Sequence, residues 1–271
     1  MLPSKQPRPL DVYSDPKVVA SYLYADYLEK PERRVTELLH DALSEIKMLD
    51  IAIGTGRTTR HFAPLVKEYV GIDFSAAMID ICKKNNANQF SNAQFSVTDM
   101  RELNAFANYS FDFVLISYNA ISAMSHRDRL KVFQEVHRVC KPGGHFFFSA
   151  HNLQCVDDLF GLAPLMSKLS PLHPKQAYWR AREWFLRRFI YNAPSAYPAM
   201  KRKGRAVLND GAHEGRLQHY YVKPTEQVNQ LKTSFRNIRV FKRNGVEVTS
   251  PAELPTITDG WLFYFCTNRQ L

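Results

Sequence analysis

Five short apolar runs fall at residues 47–53, 67–73, 93–98, 112–118 and 145–150, and helical patterns at 57–65, 75–85 and 127–140 separate most of them. Strands that alternate with helices pair through crossovers, so this order predicts a parallel sheet covered by helices on both faces. The helical stretch 127–140 ends in Lys141-Pro142-Gly143-Gly144, a stop followed by a turn. The pattern breaks after residue 152. Residues 153–222 are aromatic, basic and proline-dotted, and read as an inserted helical cap. Regular elements return with a helix started at Pro224 and two closing strands, NIRVFKR (237–243) and WLFYFCT (261–267), which makes seven strands in all.

At the other end, SDPKVVASYLYADYLEK (14–30) reads as a helix capped by Asp15 with Pro16 in its first turn; Val19, Tyr22, Leu23 and Tyr27 share a face. RRVTELLHDAL (33–43) reads as a second helix. The first residues lack the apolar centre of a signal peptide and read as a short loose arm. The expected division is 1–40 as an N-terminal helical lid, 41–152 as the core, 153–222 as the cap and 223–271 as the end of the core sheet.

No apolar run reaches membrane length, which sets aside a membrane partner. Cys82, Cys140, Cys155 and Cys266 form no CxxC pair, so reduced thiols, a cytoplasmic location and no metal site are expected. The net charge of +10 is uneven: residues 151–271 hold 18 Lys+Arg against 9 Asp+Glu, whereas residues 1–150 hold 18 against 17. The excess is densest in 175–205, with nine bases and one acid, Glu183. Such a segment either meets an anionic partner or is a solvated basic face.

The first strand runs straight into DIAIGTGR (50–57). In an open parallel sheet, ligands bind beyond the carboxyl ends of the strands, and a glycine turn there lets the backbone approach them closely. The dinucleotide pattern GxGxxG fails because Thr59 stands where the third glycine belongs, and the phosphate-cradling GxxxxGK[ST] pattern is absent.

Asp50, Ala52, Gly54 and Gly56 instead resemble the first motif of class I S-adenosylmethionine (SAM)-dependent methyltransferases, an acid followed by three glycines at alternate positions, with Ala52 in place of the first glycine, where small size is the usual need. VGIDFS (70–75), VTDM (97–100), FDFVLISYNAIS (111–122) and EVHRVCKPGGHFFFSAHN (135–152) follow at the family's spacing, with Cys140 for the usual leucine. The resemblance covers roughly residues 40–152. It implies a three-layer sandwich whose mostly parallel seven-stranded sheet has an antiparallel last strand, with SAM as cofactor and no metal. It assigns Asp50 to the ammonium of SAM, directly or through water. Ala52, Gly54, Thr55 and Gly56 go to the methionine and ribose portion, Asp73 to the ribose hydroxyls, Phe74 and Met78 to the adenine faces, and Asp99 to the adenine amino group with Met100 beside it. Ser117 at the end of the fourth strand completes the set. By analogy, Tyr13, Tyr22 or Tyr24, and Arg33 or Arg34, reach the SAM carboxylate from the lid.

The substrate side is less determined. Strand ends offer Tyr118, Asn119, His151 and Asn152, and the cap adds His213, His219, Tyr220 and Tyr221 within DGAHEGRLQHYYVKP (210–224). HYYVKPTEQ (219–227) resembles the tyrosine-bearing segment that closes over small substrates in this family. A histidine there can accept a proton from a hydroxyl or an ammonium. His151, His213, His219 and Tyr118 are the catalytic candidates, and Asn119, Asn152, Trp179, Tyr220 and Tyr221 the substrate-binding ones. Trp184, Tyr197 and Trp261 are further candidates for an aromatic box. SYNA (117–120) replaces the NPPY-type tetrapeptide, which counts against the nucleic-acid and glutamine amino-methylating subclasses. The leading expectation is methyl transfer to N or O of a small molecule, one that can carry an anionic group for the basic segment, by a monomer or homodimer. An RNA or tRNA methyltransferase, and a SAM-binding protein without methyl transfer, are the alternatives.

Overall fold

A computed structural model describes residues 7–23, 26–86, 88–167, 173–193 and 197–270. Tyr24 and the first six residues of the expected arm lie outside the described residues. Ten strands share one sheet: β1 Lys47–Ile51, β2 Glu68–Asp73, β3 Ala93–Val97, β4 Phe111–Ile116, β5 Cys140–Asn152, β6 Arg205–Leu208, β7 His219–Val222, β8 Phe235–Lys242, β9 Glu247–Val248 and β10 Trp261–Asn268. The main order is β3-β2-β1-β4-β5-β10-β8-β9. β1 to β5 are parallel, and β10 lies antiparallel to both β5 and β8.

Single residues of β5 show how the layers are built. Phe146 and Phe148 join the apolar cluster under helix His126–Val139, with Val132, Phe133 and Val136. Phe147, between them, joins the opposite cluster with Val35, Phe62 and Phe263. This two-residue alternation feeds both faces of a sheet buried on both sides.

The expected seven strands become ten because the cap contributes the hairpin β6–β7 and a two-residue strand, β9, pairs outside β8. β5 outruns β4: Ile116 stands opposite Phe148, and β7 takes up the next places with Tyr221 opposite His151. Among the described residues of 153–222, the elements up to Lys203 are helical and the strands β6 and β7 come after it.

The expected helix 14–30 is also corrected. Asp15 caps it, accepting from the Lys17 N–H, but it ends at Ser21, and the next helix begins at Lys30. Two donors at the glycine turn take the carbonyls a longer helix would use itself. Thr55 Oγ1 donates to the Tyr22 carbonyl at 2.9 Å and Arg57 to that of Tyr27 at 2.7 Å. The amino-terminal chain is thereby tied across the carboxyl ends of the strands.

Candidate functional site

Strand order reverses between β1 and β4, where crossovers leave to either side. Beyond these strand ends lies a cavity of about 940 Å³, walled by the turn after β1, the ends of β2, β3 and β4, and Tyr13 and Tyr22 of the amino-terminal segment.

The turn after β1 divides its roles. Gly54 has φ +56°, and nothing lies within 4 Å of where a Cβ would stand, so the glycine leaves open space on the cavity wall. Its N–H donates to Asp73 Oδ2 at 3.0 Å. Gly56, at φ +96°, serves packing: a Cβ would come within 2.5 Å of Asn86 Nδ2 and 2.9 Å of Cys82 Sγ, and the residue does not line the cavity. Ala52 lines the cavity at φ +60°, a left-handed conformation strained for any residue with a Cβ. Small size is therefore only half of what that position requires.

Asp50 departs from its expected place. It is fully buried outside the cavity wall, accepts from the Tyr69 hydroxyl at 2.6 Å, and its Oδ1 has no partner. Burial raises its pKa to about 7, against the hydrogen bond from Tyr69. Asp73 does line the cavity. Burial raises its pKa, while the Ser75 and Gly54 N–H groups oppose the shift and fix the carboxylate. Phe74, Met78, Asp99, Met100, Thr55 and Ser117 share the wall. Asp99 is held by a two-oxygen contact with Arg101.

Arg33 and Arg34 are exposed and absent from the wall, where the lid analogy expects one of them. The sequence reading missed the arginine that is there. Arg57 makes a bidentate pair with Glu32, both contacts 2.7 Å, and also donates to Ser117 Oγ at 2.6 Å. Ser117 in turn donates to Glu32. Arg57 stacks over Tyr27 and Tyr118, centroids at 5.7 and 5.2 Å.

A second chamber, about 450 Å³, shares Tyr13, Tyr22 and Tyr118 with the first. His151, His213, His219, Asn119 and Tyr221 line it, as does Trp261. Its centre is a residue the sequence reading did not single out. Asp210 Oδ2 accepts from His219 Nδ1 at 2.8 Å and from the Tyr221 hydroxyl at 2.9 Å, and Oδ1 accepts from the Ala212 N–H at 3.1 Å. Burial pushes the Asp210 carboxyl up, but the hydrogen bond from His219 outweighs it and holds it below the usual range. Only the β6–β7 register reveals the pair: Leu208 stands opposite His219, so Asp210 enters the loop beside it.

His151 stacks on His219 and Tyr221, centroids 5.0 and 4.7 Å apart. Burial pushes its pKa down to about 3, with His219 adding to the shift, so it is neutral. His213 is also shifted down by burial, and its Nε2 lies 3.3 Å from the Tyr22 hydroxyl. Tyr118 is pushed up to about 12 by burial and by its contact with Tyr27, and remains a phenol. Both polar atoms of the Asn119 side chain are buried without partners. His151, Asp210 and His219 place one ligand atom each within 4.8 Å of one another, the one such metal-capable group among the described residues. Asp210 already receives three donors, which suits a carboxylate orienting His219 better than a metal ligand.

Three substrate expectations are corrected. Asn152 is buried, with its amide donating to the Ile257 and Asp259 carbonyls, and so anchors a loop. Tyr220 points the other way, its hydroxyl 2.8 Å from His126 Nδ1 and its ring under Arg129. Trp179 is half-exposed on the outer face of the cap, away from both chambers. Trp184 and Tyr197 also lie off both walls.

Comparison with known proteins gives three results. Residues 48–144 match the methyltransferase-domain family. A ubiquinone/menaquinone biosynthesis C-methyltransferase, UbiE, of Coxiella burnetii is 35% identical over 103 residues, 36% of this chain and 40% of that protein. A demethylmenaquinone methyltransferase of Renibacterium salmoninarum is 32% identical over 115 residues, 41% and 45% of the two chains. The chain thus spans less than half the length of the curated relatives it matches. In structure it is similar to PH0226 of Pyrococcus horikoshii, with TM-score 0.60, 20% identity and 97% of each chain covered. It is also similar to DhpI, solved as an SAH complex, with TM-score 0.56, 15% identity and 97% and 96% covered. The spaced motifs, the matched segment and the sheet order converge on residues 48–144, which match the methyltransferase-domain family.

Proposed function

We propose that the protein is a SAM-dependent methyltransferase that transfers a methyl group to N or O of a small molecule held in the second chamber. One observation carries this reading: two chambers meet at Tyr13, Tyr22 and Tyr118, one walled by the family's cofactor motifs and the other by a carboxylate-oriented histidine.

The first chamber fits the cofactor. Its volume of about 940 Å³ falls within the range of small-molecule sites, Gly54 leaves open space where a side chain would intrude, and Asp73 presents a fixed, buried carboxylate. Gly54, Asp73, Phe74, Met78, Asp99 and Met100 would hold the cofactor. S-adenosylmethionine supplies an electrophilic methyl group on a sulfonium. The residues of the second chamber orient the acceptor, exclude water and take a proton. Asp210 keeps the proton of His219 on Nδ1 and leaves Nε2 as the acceptor. Tyr13, Tyr22 and Tyr118 close the passage around the acceptor, and the unpartnered Asn119 amide offers it a donor and an acceptor.

A carbon acceptor is the second reading. Two matched relatives are named as a C-methyltransferase and a demethylmenaquinone methyltransferase, and a carbon acid also needs a base. Isothermal titration with S-adenosylhomocysteine, followed by mass spectrometry of a panel of phenols, amines and quinols incubated with SAM, tests both readings. Micromolar binding with a methylated hydroxyl or amine is expected. Methylation at carbon alone selects the second reading, and absence of cofactor binding overturns both.

A further inference from the structure

Fifteen large apolar side chains are exposed among the described residues, and seven of them lie between 162 and 190: Leu162, Met166, Tyr178, Trp179, Phe185, Phe189 and Ile190, each 45–62% exposed. They occupy three adjoining elements of the cap, helix Leu162–Met166, helix Pro174–Phe185 packed against it, and the π-helical turn Leu186–Tyr191. None of these elements has a single buried residue. A helix of a folded domain ordinarily buries its apolar stripe. Here the stripe faces outward. Tyr178 and Phe185 are seven residues apart on one side of the helix, and the Phe185 ring continues onto Phe189 at 5.3 Å.

The same elements carry Lys175, Arg180, Arg182, Arg187 and Arg188 against one acid, Glu183. The arginines flank the aromatic rings. Arg182 lies 5.4 Å from the Trp179 centroid, and Arg188 lies 5.8 and 5.5 Å from those of Phe189 and Tyr197. Guanidinium groups set over the exposed rings of Trp179 and Phe189 put basic charge directly beside apolar surface, a combination that suits a water–lipid boundary.

We infer that this face of the cap docks on the surface of an anionic phospholipid bilayer. The rings and aliphatic side chains would enter the headgroup region, and the arginines would meet lipid phosphates. Charge complementarity selects this occupant. A second copy of the chain would bring two strongly basic faces together, which repel. RNA would use the bases and some rings, but Leu162, Met166 and Ile190 offer nothing to a stacked nucleobase. The attachment is peripheral, since no helix among the described residues is long and apolar enough to cross a membrane. It goes beyond the sequence-based expectation of no membrane partner, which rested on the lack of a membrane-length apolar run, and it stands independently of the methyl-transfer reading.

Vesicle flotation of the full chain tests it. Phosphatidylcholine vesicles are compared with vesicles holding about 30 mol% phosphatidylglycerol. Binding to the anionic vesicles at least tenfold above the neutral ones, weakened by salt, is expected. Tyr178→Ser/Phe185→Ser/Ile190→Ser should lower it at least tenfold with an unchanged melting temperature. Should that variant fold poorly, Arg182→Glu/Arg188→Glu reads the electrostatic half of the same contact and should give a similar loss. Four results overturn the inference. These are no vesicle binding, equal binding to both vesicle types, binding indifferent to both variants, or light scattering that shows a dimer dissociated by the triple substitution. A tRNA complex lost in the variants, without vesicle binding, overturns it as well.

Discussion

The two chambers are built on different principles. Most of the wall of the first comes from four short segments at the ends of adjacent parallel strands, 51–58, 73–78, 97–101 and 117–118, and the rest from 8–22 and 120–128. Its shape depends on conformation, such as the left-handed Ala52 and Gly54 and the two N–H groups on Asp73. The second chamber is an assembly of side chains brought from residues 13, 22, 118–119, 151–159, 210–221 and 260–261. Its shape depends on pairs between distant positions. A chamber built on adjacent strand ends tolerates varied surroundings as long as the sheet forms. A chamber made of side chains can be rebuilt on the same sheet for another substrate, so its chemistry resides in few atoms.

The largest test of that division is His219→Ala. Loss of a proton acceptor costs on the order of 10²–10⁴ in rate, so kcat should fall about a thousandfold, or roughly 4 kcal/mol. Affinity for S-adenosylhomocysteine should stay within about twofold, because His219 does not line the first chamber. A fall in both would show that the chambers are not separable. Asp210→Asn should reproduce part of the kcat loss by changing the tautomer of His219.

Asp73→Ala is the counterpart in the first chamber. It removes a carboxylate that accepts two backbone N–H bonds and faces the cavity. Hydrogen bonds to charged groups contribute about 1.5–3 kcal/mol each. Titration should show S-adenosylhomocysteine affinity reduced at least a hundredfold, or about 2.7 kcal/mol. Unchanged affinity would place the cofactor elsewhere.

The contrast also explains what could be read from the sequence. The alternation of strands and helices and the turn at Gly54 follow from local pattern, because a strand end and a left-handed turn leave their mark within a few residues. Asp210 left no such mark. Its partners His219 and Tyr221 become visible only once β6 and β7 are known to pair, and the composition of the cap predicts helices there. Glu32 and Arg57 are 25 positions apart and meet only because the amino-terminal chain crosses the strand ends. Trp179 and Tyr220 have the residue types of a binding site, but the cap directs one to solvent and the other towards Arg129. Residue type was legible there and direction was not.

Asp50 sharpens the comparison from inside the legible region. It belongs to the motif but stands off the cavity, with a carboxyl raised to about 7 by burial. The folded chain therefore keeps the proton up to about pH 7, whereas the unfolded chain releases it near pH 4. Between those values the folded state binds more protons, so this group's contribution is fully present below about pH 4 and is lost as pH rises through about 7. Asp50→Asn should flatten the decline of melting temperature across that window, recovering on the order of 2 kcal/mol at its upper end. S-adenosylhomocysteine affinity should change only a few-fold, unlike Asp73→Ala. A hundredfold loss would return Asp50 to the cofactor.

The smallest expected effect lies at Ala52, where opposing contributions nearly cancel. Its φ of +60° costs a residue with a Cβ roughly 1–2 kcal/mol relative to glycine. Ala52→Gly relieves that strain but adds about 0.4–1 kcal/mol of freedom to the unfolded chain. It also removes a methyl packed against the apolar cluster that holds Ile51 and Ile116. That methyl is only partly buried, so its loss costs a fraction of the ~0.8 kcal/mol of a fully buried group. The balance favours glycine by about 0.5 kcal/mol, a rise in melting temperature of about 1–2 °C. A fall of that size would mean that the methyl's contacts outweigh the backbone.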